Sequence, residues 1–290
     1  MQLGTIGVWS GVLRNGERAA VLEAAAELEE LGYGTIWFPA GPPDGLADHI
    51  QAILDHTHRA VVATGIVNIW THPPEAIAAQ HHALTQAHPG RFLLGLGVSH
   101  EPIVTGAGQT YAHPYRKMTE YLDALDASPT PVPLDERILA ALGPRMLHLA
   151  AERSLGTHPY FVPPEHTRFA RQVVGPNKVV APEQMVVVES DPDRARKIAR
   201  LSAGRYLSMP NYTNNLLRYG FSADDIAAGG TDRLIDAIVA WGTAEQVMAR
   251  VREHHAAGAD HVCIQPLTEP PQDLGQSMSA WRQLAAVARG

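Results

Sequence analysis

Cysteine is nearly absent: Cys263 is the only one in 290 residues. No intrachain disulfide can form, and the expected compartment is the reducing cytoplasm. Long apolar runs are missing too. None approaches the ~18 residues of a membrane span, so no membrane partner is expected. No block of basic residues occurs, and the 23 Lys and Arg face 30 Asp and Glu, for a net charge of −7. Nucleic acid is therefore not an expected partner. The opening MQLGTIGVWSG lacks the positive n-region of a signal peptide. HExxH and CxxC are absent. Histidine is plentiful at 15 copies, but His81-His82 and His254-His255 are adjacent pairs. Neighbours on a helix point about 100° apart, so no metal is expected.

What is present describes a globular protein. The chain is 45% hydrophobic and 18% charged, enough for a sizeable core. Its length suits one barrel of ~250 residues or more, so residues 1–290 read as a single domain. One module recurs: an Ala/Leu/charge helix, a glycine, then a short apolar strand. VLEAAAELEELGYGTIWFP (21–39), MLHLAAERSLGTHPYFVP (146–163) and VMARVREHHAAGADHVCIQP (247–266) are copies. Gly32, Gly156 and Gly258 fall where a helix end needs positive φ.

Strands are expected near 3–9, 35–39, 60–68, 92–98, 137–142, 157–162, 185–189 and 261–266, with helical patterns between them. Thr243 and Gln246 predict a capping box for the helix over 243–257. Alternating α and β implies a parallel sheet, and eight strands point to a (β/α)₈ TIM barrel, with a doubly wound sheet as the alternative. Residues 126–136 read as a proline-rich surface connector. Residues 191–242 are too long for one crossover. They read as a helical insertion or lid before the last strand, or else as an extra packing helix.

Barrel chemistry collects at the C-terminal strand ends. Two of these ends resemble anion sites. FLLGLGVSHEP (92–102) leaves a buried strand through Gly97-Val98-Ser99-His100, offering N–H groups and a hydroxyl. Gly143-Pro144-Arg145 opens a helix, with an arginine beside its N-terminus. A dinucleotide motif is excluded, because His100 stands where G-x-G-x-x-G needs its last glycine. Ser99 is not in G-x-S-x-G, and only Glu101 and Glu189 put carboxylates near strand ends. So few acid/base groups suggest that a cofactor carries the chemistry.

LEELGYGTIWFP (28–39), TGIVNIWTHPPEAIAAQ (64–80), GRFLLGLGVSHEP (90–102), ALGPRMLHLAAERSLGTHPY (141–160) and AGADHVCIQ (257–265) together resemble the bacterial luciferase-like superfamily. Within it, the resemblance is nearest to the branch that uses the deazaflavin coenzyme F420. It implies an F420-dependent oxidoreductase that moves a hydride to or from a small organic substrate. The third strand would end in a bulge, often with a non-prolyl cis peptide, that supports the ring. Here that is Gly65, Ile66, Val67 and Asn68. Val98, Ser99 and His100, with Gly143, Pro144, Arg145 and Met146, would bind the cofactor phosphate.

There are departures from the family pattern. Ala40 and Gly41 stand where its sugar-phosphate dehydrogenases carry an Asp-His pair, and Ser10 and His100 replace two of their acidic residues. His100 is then the candidate proton-handling group, since imidazole titrates near neutrality. Trp9, Ser10, Trp70 and Tyr212 are candidate substrate contacts. The resemblance further implies a homodimer packed through 74–88. Two alternatives stay open: an FMN-dependent monooxygenase fed by a separate reductase, and a non-catalytic flavin- or deazaflavin-binding barrel.

Overall fold

The structure is a computed structural model and describes residues 1–288. Its strand segments, in chain order, are β1 (Ile6–Trp9), β2 (Thr35–Phe38), β3 (Val61–Thr64), β4 (Val67–Asn68), β5 (Phe92–Gly97), β6 (Arg137–Leu139), β7 (Gly156–Thr157), β8 (Val179–Val180), β9 (Glu183–Val188), β10 (Val239–Gly242) and β11 (Val262–Pro266). The pairing path is β10-β9-β11-β1-β2-β3-β5-β6-β7-β8, and β4 adds to β5. These ladders are parallel. Parallel neighbours need crossovers, and helices supply them.

Only Ala181 and Pro182 separate β8 from β9. The Ala181 N–H donates to the Thr157 carbonyl at 2.9 Å, and the Cys263 N–H donates to the Pro182 carbonyl at 3.0 Å. One segment thus touches both flanks of the path, and the sheet curls round on itself.

Strand β2 shows how the curl is packed. Ile36 and Phe38 join Val21, Leu28 and Ile53 in the layer under the helices. Trp37 joins Trp9, Ala63, Leu93 and Cys263 on the other face. The period-two alternation of a strand makes this division. Both faces are apolar, so TIWF, VVAT and FLLGLG are buried throughout.

Several sequence expectations need correction. The strand expected over 157–162 ends at Thr157, because Pro159, Pro163 and the left-handed Phe161 (φ 58°) break it. The one expected over 137–142 ends at Leu139, before Gly143-Pro144. The strand expected at 185 already begins at Glu183, preceded by β8. Strand β10 and the helices Glu101–Gly106 and Leu274–Ala288 are additional. Gly32 (φ 91°) and Gly258 (φ 105°) end helices as expected. Gly156 does not. It lies in β7, where a Cβ would stand 1.9 Å from the Val179 carbonyl oxygen. The Thr243–Gln246 capping box forms as read.

Residues 191–242 contain helices Pro192–Tyr206, Pro210–Arg218, Ala223–Ile226 and Asp232–Ile238, followed by β10. They build a second apolar cluster, with Leu207, Tyr212 and Leu216 against Phe161 and Met185.

Candidate functional site

A cleft of about 1360 Å³ opens where the strands end. Trp9 comes from the end of β1, Gly65 and Asn68 from the β3–β4 bulge, and Ser99 from the turn after β5. The far wall belongs to 191–242, through Arg205, Tyr206, Tyr212 and Arg218. The segment is therefore part of the cleft, whatever further role it has.

Beneath the cleft lies a set of interlocked rings, of which His158 reaches its lining. Trp37 Nε1–H donates to His261 Nε2 at 3.0 Å, and His261 Nδ1–H donates to the Gly4 carbonyl at 2.8 Å. His158 stacks on Trp37 at 4.3 Å and 14°, and its Nδ1–H donates to the Ala181 carbonyl at 2.7 Å. Burial lowers both histidines to about 4, so both are neutral near pH 7. Gly7 makes room for this arrangement: a Cβ there would stand 2.7 Å from the His261 ring.

Beside the rings lies Glu183, 1% exposed. One of its carboxyl oxygens meets the Phe161 N–H at 3.2 Å. Burial raises its pKa to about 8, so it is largely protonated at neutrality. Tyr160 OH donates to Gln265 Oε1 at 2.7 Å, which leaves Tyr206 OH to donate to Tyr160 at 2.8 Å.

The bulge is shaped by glycines. The Gly65–Ile66 peptide is cis. A Cβ on Gly65 would stand 2.4 Å from Trp9 Nε1, and one on Gly97 would stand 2.7 Å from the Ile66 side chain. Gly97 N–H and C=O groups carry this wall forward: Ile69 N–H donates to the Gly97 carbonyl at 3.2 Å.

At the rim, Ser99 has φ 55° and precedes His100, which caps helix Glu101–Gly106. His100 Nδ1–H donates to Asn211 Oδ1 at 2.9 Å, and its ring packs on Tyr212 at 5.0 Å. Desolvation lowers its pKa; the Asn211 hydrogen bond raises it less, and Arg205 lowers it further. Gly143 caps helix Pro144–Arg153, with Arg218 Nη1 3.3 Å from where its Cβ would be. The Arg145 guanidinium lies over the Tyr115 ring at 4.4 Å.

Of the residues singled out in the sequence, Gly65, Ile66, Asn68, Val98, Ser99, His100, Gly143, Pro144, Arg145 and Met146 line this one cleft, as do Trp9 and Tyr212. Three do not. Val67 is fully buried in the core behind the bulge. Ser10 turns back to accept the Val12 N–H at 3.3 Å. Trp70 donates from Nε1 to the Val98 carbonyl at 2.8 Å and packs on Tyr111, so it braces the wall from outside. Sequence reasoning missed the lining residues His158, Tyr160, Arg205, Tyr206, Arg218 and Gln265, and Glu183 buried beneath them.

Among the described residues, no group of three or more His, Cys, Asp or Glu is placed to hold a metal ion. No described helix is long and apolar enough to cross a membrane.

A curled parallel α/β sheet with a large cleft at its strand ends is shared by many enzyme classes, and the sequence narrows it to one. The chain belongs to the luciferase-like monooxygenase family, whose profile matches residues 5–261. Three solved structures show how far the fold extends. An F420-dependent secondary alcohol dehydrogenase, solved with an F420–acetone adduct, superposes with a TM-score of 0.72 at 17% identity, covering 100% of each chain. Coenzyme F420-dependent tetrahydromethanopterin reductase from Methanopyrus kandleri gives 0.73 at 16% identity, covering 97% of each chain. The oxygenating constituent of 3,6-diketocamphane monooxygenase from Pseudomonas putida, solved with FMN, gives 0.71 at 14% identity, covering 99% of this chain and 97% of the other. A search of curated proteins finds no match to the sequence.

Proposed function

We propose that this protein is an F420-dependent oxidoreductase built on a closed (β/α)₈ barrel. In that count β3 with β4, and β8 with β9, are single broken strands, β10 is accessory, and 191–242 is an inserted lid. One observation carries the cofactor reading. The cleft is lined by Arg145, Arg205 and Arg218 and by no Asp, Glu or Lys. Among the described residues, no carboxylate engages these guanidinium groups, whereas Arg137, Arg171 and Arg196 all are engaged. A cleft of this sign favours an anionic ligand.

The residues present fit such a group. The Gly65–Asn68 bulge offers a surface free of side-chain bulk at Gly65, suited to a planar ring. Ser99, the first-turn N–H groups after Gly143, Arg145 and Arg218 would hold its phosphoryl group. A bound deazaflavin supplies hydride transfer, and the chain supplies orientation and exclusion of water. Three separate arginines favour F420, which carries a phosphodiester and carboxylates, over FMN with its single phosphate. His100 ties the phosphate turn to the lid through Asn211 and is a positioning residue in this reading. A homodimer packed through helix Pro74–Ala87 completes it; Ala76, Ala79 and Ala83 are exposed there.

The test is a side-by-side calorimetric titration of the purified protein with F420 and FMN. F420 should bind more tightly, and Ser99→Ala with Arg145→Ala should weaken it by about 2–4 kcal/mol, two charge-assisted contacts at roughly 1.5–3 each with partial overlap. Preferential FMN binding would move the assignment to an FMN-dependent monooxygenase. Binding of neither would overturn the cofactor reading.

A further inference from the structure

A chain of three side chains runs along one wall of the cleft. Tyr206 OH donates to Tyr160 OH at 2.8 Å, and Tyr160 OH donates to Gln265 Oε1 at 2.7 Å. All three residues line the cleft. Burial raises both phenols above their usual range, so neither ionises near neutrality. Gln265 lies near the end of β11, and β1 and β2 separate that strand from β3. The chain therefore stands on a different wall from the Gly65–Asn68 bulge.

Both ends of the chain are open. Gln265 Nε2 makes no hydrogen bond among the described residues, and it is not sealed from solvent as Trp9 Nε1 and Asn215 Nδ2 are. The Tyr206 oxygen gives its proton to Tyr160 and keeps a lone pair. Turning the Gln265 amide over reverses every bond in the chain. Nε2–H then donates to Tyr160, Tyr160 donates to Tyr206, and the free groups become Gln265 Oε1 and the Tyr206 O–H. In either sense one end donates and the other accepts.

We propose that Gln265 and Tyr206 form a subsite for a carboxamide or lactam group on the substrate. Its carbonyl oxygen accepts from Gln265 Nε2–H, and its N–H donates to the Tyr206 oxygen. A ketone or an ester meets only the donating end. A carboxylate has no proton for the accepting end, and desolvating its charge among these rings is costly. Trp9 packs on Tyr160 at 5.3 Å, and Phe161 and Tyr212 pack on Tyr206 at 5.2 and 5.4 Å. Flat apolar rings of this kind suit a planar group. The subsite deepens the oxidoreductase reading by naming a substrate class for the same cleft. It rests on that reading only in taking this wall as the substrate's.

The experiment is an NMR titration of ¹⁵N-labelled protein with 2-piperidone, N-methyl-2-piperidone, cyclohexanone and benzoate, following the Gln265 side-chain NH₂ signal. Gln265→Leu assigns that signal. 2-Piperidone should move it and bind about three- to tenfold more tightly than N-methyl-2-piperidone or cyclohexanone, each of which lacks the N–H. Gln265→Leu should weaken 2-piperidone by a similar factor. Tyr206→Phe should abolish the preference for 2-piperidone over its N-methyl form, an outcome that a purely structural role for the hydroxyl would not give. If Gln265→Leu does not fold, Gln265→Glu assigns the signal, and the wild-type affinities and Tyr206→Phe decide the matter. N-methyl-2-piperidone or benzoate binding as tightly as 2-piperidone overturns the subsite, as does 2-piperidone leaving the Gln265 signal in place while F420 binds. F420 and FMN both failing to bind while 2-piperidone moves the signal would sink the cofactor reading and leave the subsite standing.

Discussion

The floor and the rim of the cleft follow opposite physical rules. On and beneath the floor, His158 and the Trp37, His261 and Glu183 side chains packed under it are at most 1% exposed, and burial keeps their titratable groups neutral. Polar atoms there act through short, directed hydrogen bonds in a low dielectric. On the rim, Arg145, Arg205 and Arg218 are exposed and charged. Water screens them while the cleft is open, so they attract anions over a distance and bind firmly only what displaces that water. A ligand with an anionic tail and a neutral reacting end would have each part met by the matching region.

Glycine substitutions should break this comparison most sharply. Gly65 and Gly11 both line the cleft. A Cβ on Gly65 would stand 2.4 Å from Trp9 Nε1, whereas a Cβ on Gly11 meets nothing within 4 Å. Gly65→Ala must push Trp9 off its position or shift the bulge, costing about 1–3 kcal/mol of stability, as overpacking does. Gly11→Ala should stay within about 0.5 kcal/mol of wild type. Chemical denaturation measures both. Equal losses would show that the floor is no more tightly packed than the rim.

The pH dependence of stability should carry the mark of the floor. His158 and His261 are lowered from 6.5 to about 4. Their contribution is complete above pH 6.5 and is lost as pH falls toward 4. Glu183 is raised from 4.5 to about 8, so its contribution is complete below pH 4.5 and is lost as pH rises through 8. Opposite slopes on the two sides leave a maximum near neutrality. Glu183→Gln removes the ionisation and should flatten the alkaline limb, leaving the variant more stable than wild type at pH 9 by on the order of 1–3 kcal/mol. Denaturation midpoints at pH 6, 7.5 and 9 give the comparison. A variant that still loses stability between pH 7.5 and 9 as steeply as wild type would place the alkaline limb elsewhere.

These two regions were also unequally legible in the sequence. The rim turns at Ser99 and Gly143-Arg145 could be read because glycine beside a strand end or at a helix start has few other uses. Arg205 and Arg218 could not, since they reach the cleft from the 191–242 segment, whose packing depends on distant Phe161 and Met185. The buried strands TIWF, VVAT and FLLGLG announced themselves by apolarity. Strand β10 did not, because VAWG follows helix Asp232–Ile238 with no glycine or proline between them. The floor was hidden for another reason: single polar residues inside apolar runs carry no motif. A period-two signal was nonetheless there. His261, just before β11, and Cys263 and Gln265 within it alternate with Val262 and Ile264, which marks a strand with one polar-decorated face. Glu183 was missed by placing the start of its strand two residues late.

The smallest expected effect lies at the hydrogen bond that joins the turn after β5 to residues 191–242. His100 is half-buried, and Asn211, its partner, is exposed. The Asn211 oxygen accepts from Nδ1 and so favours the charged ring, against desolvation and the nearby Arg205, which both disfavour it. Asn211→Ala removes the one stabilising contact and leaves the two opposing ones. The His100 titration should therefore move further down in pH, followed by NMR of its ring protons, while global stability changes by no more than about 0.5–1.5 kcal/mol. The buried floor histidines share no contact with Asn211, and their titrations should stay where they are. An unchanged or raised His100 pKa would mean that Asn211 does not hold the imidazole. Residues 191–242 would then meet the turn after β5 through the Tyr212 ring packing on His100 rather than through this hydrogen bond.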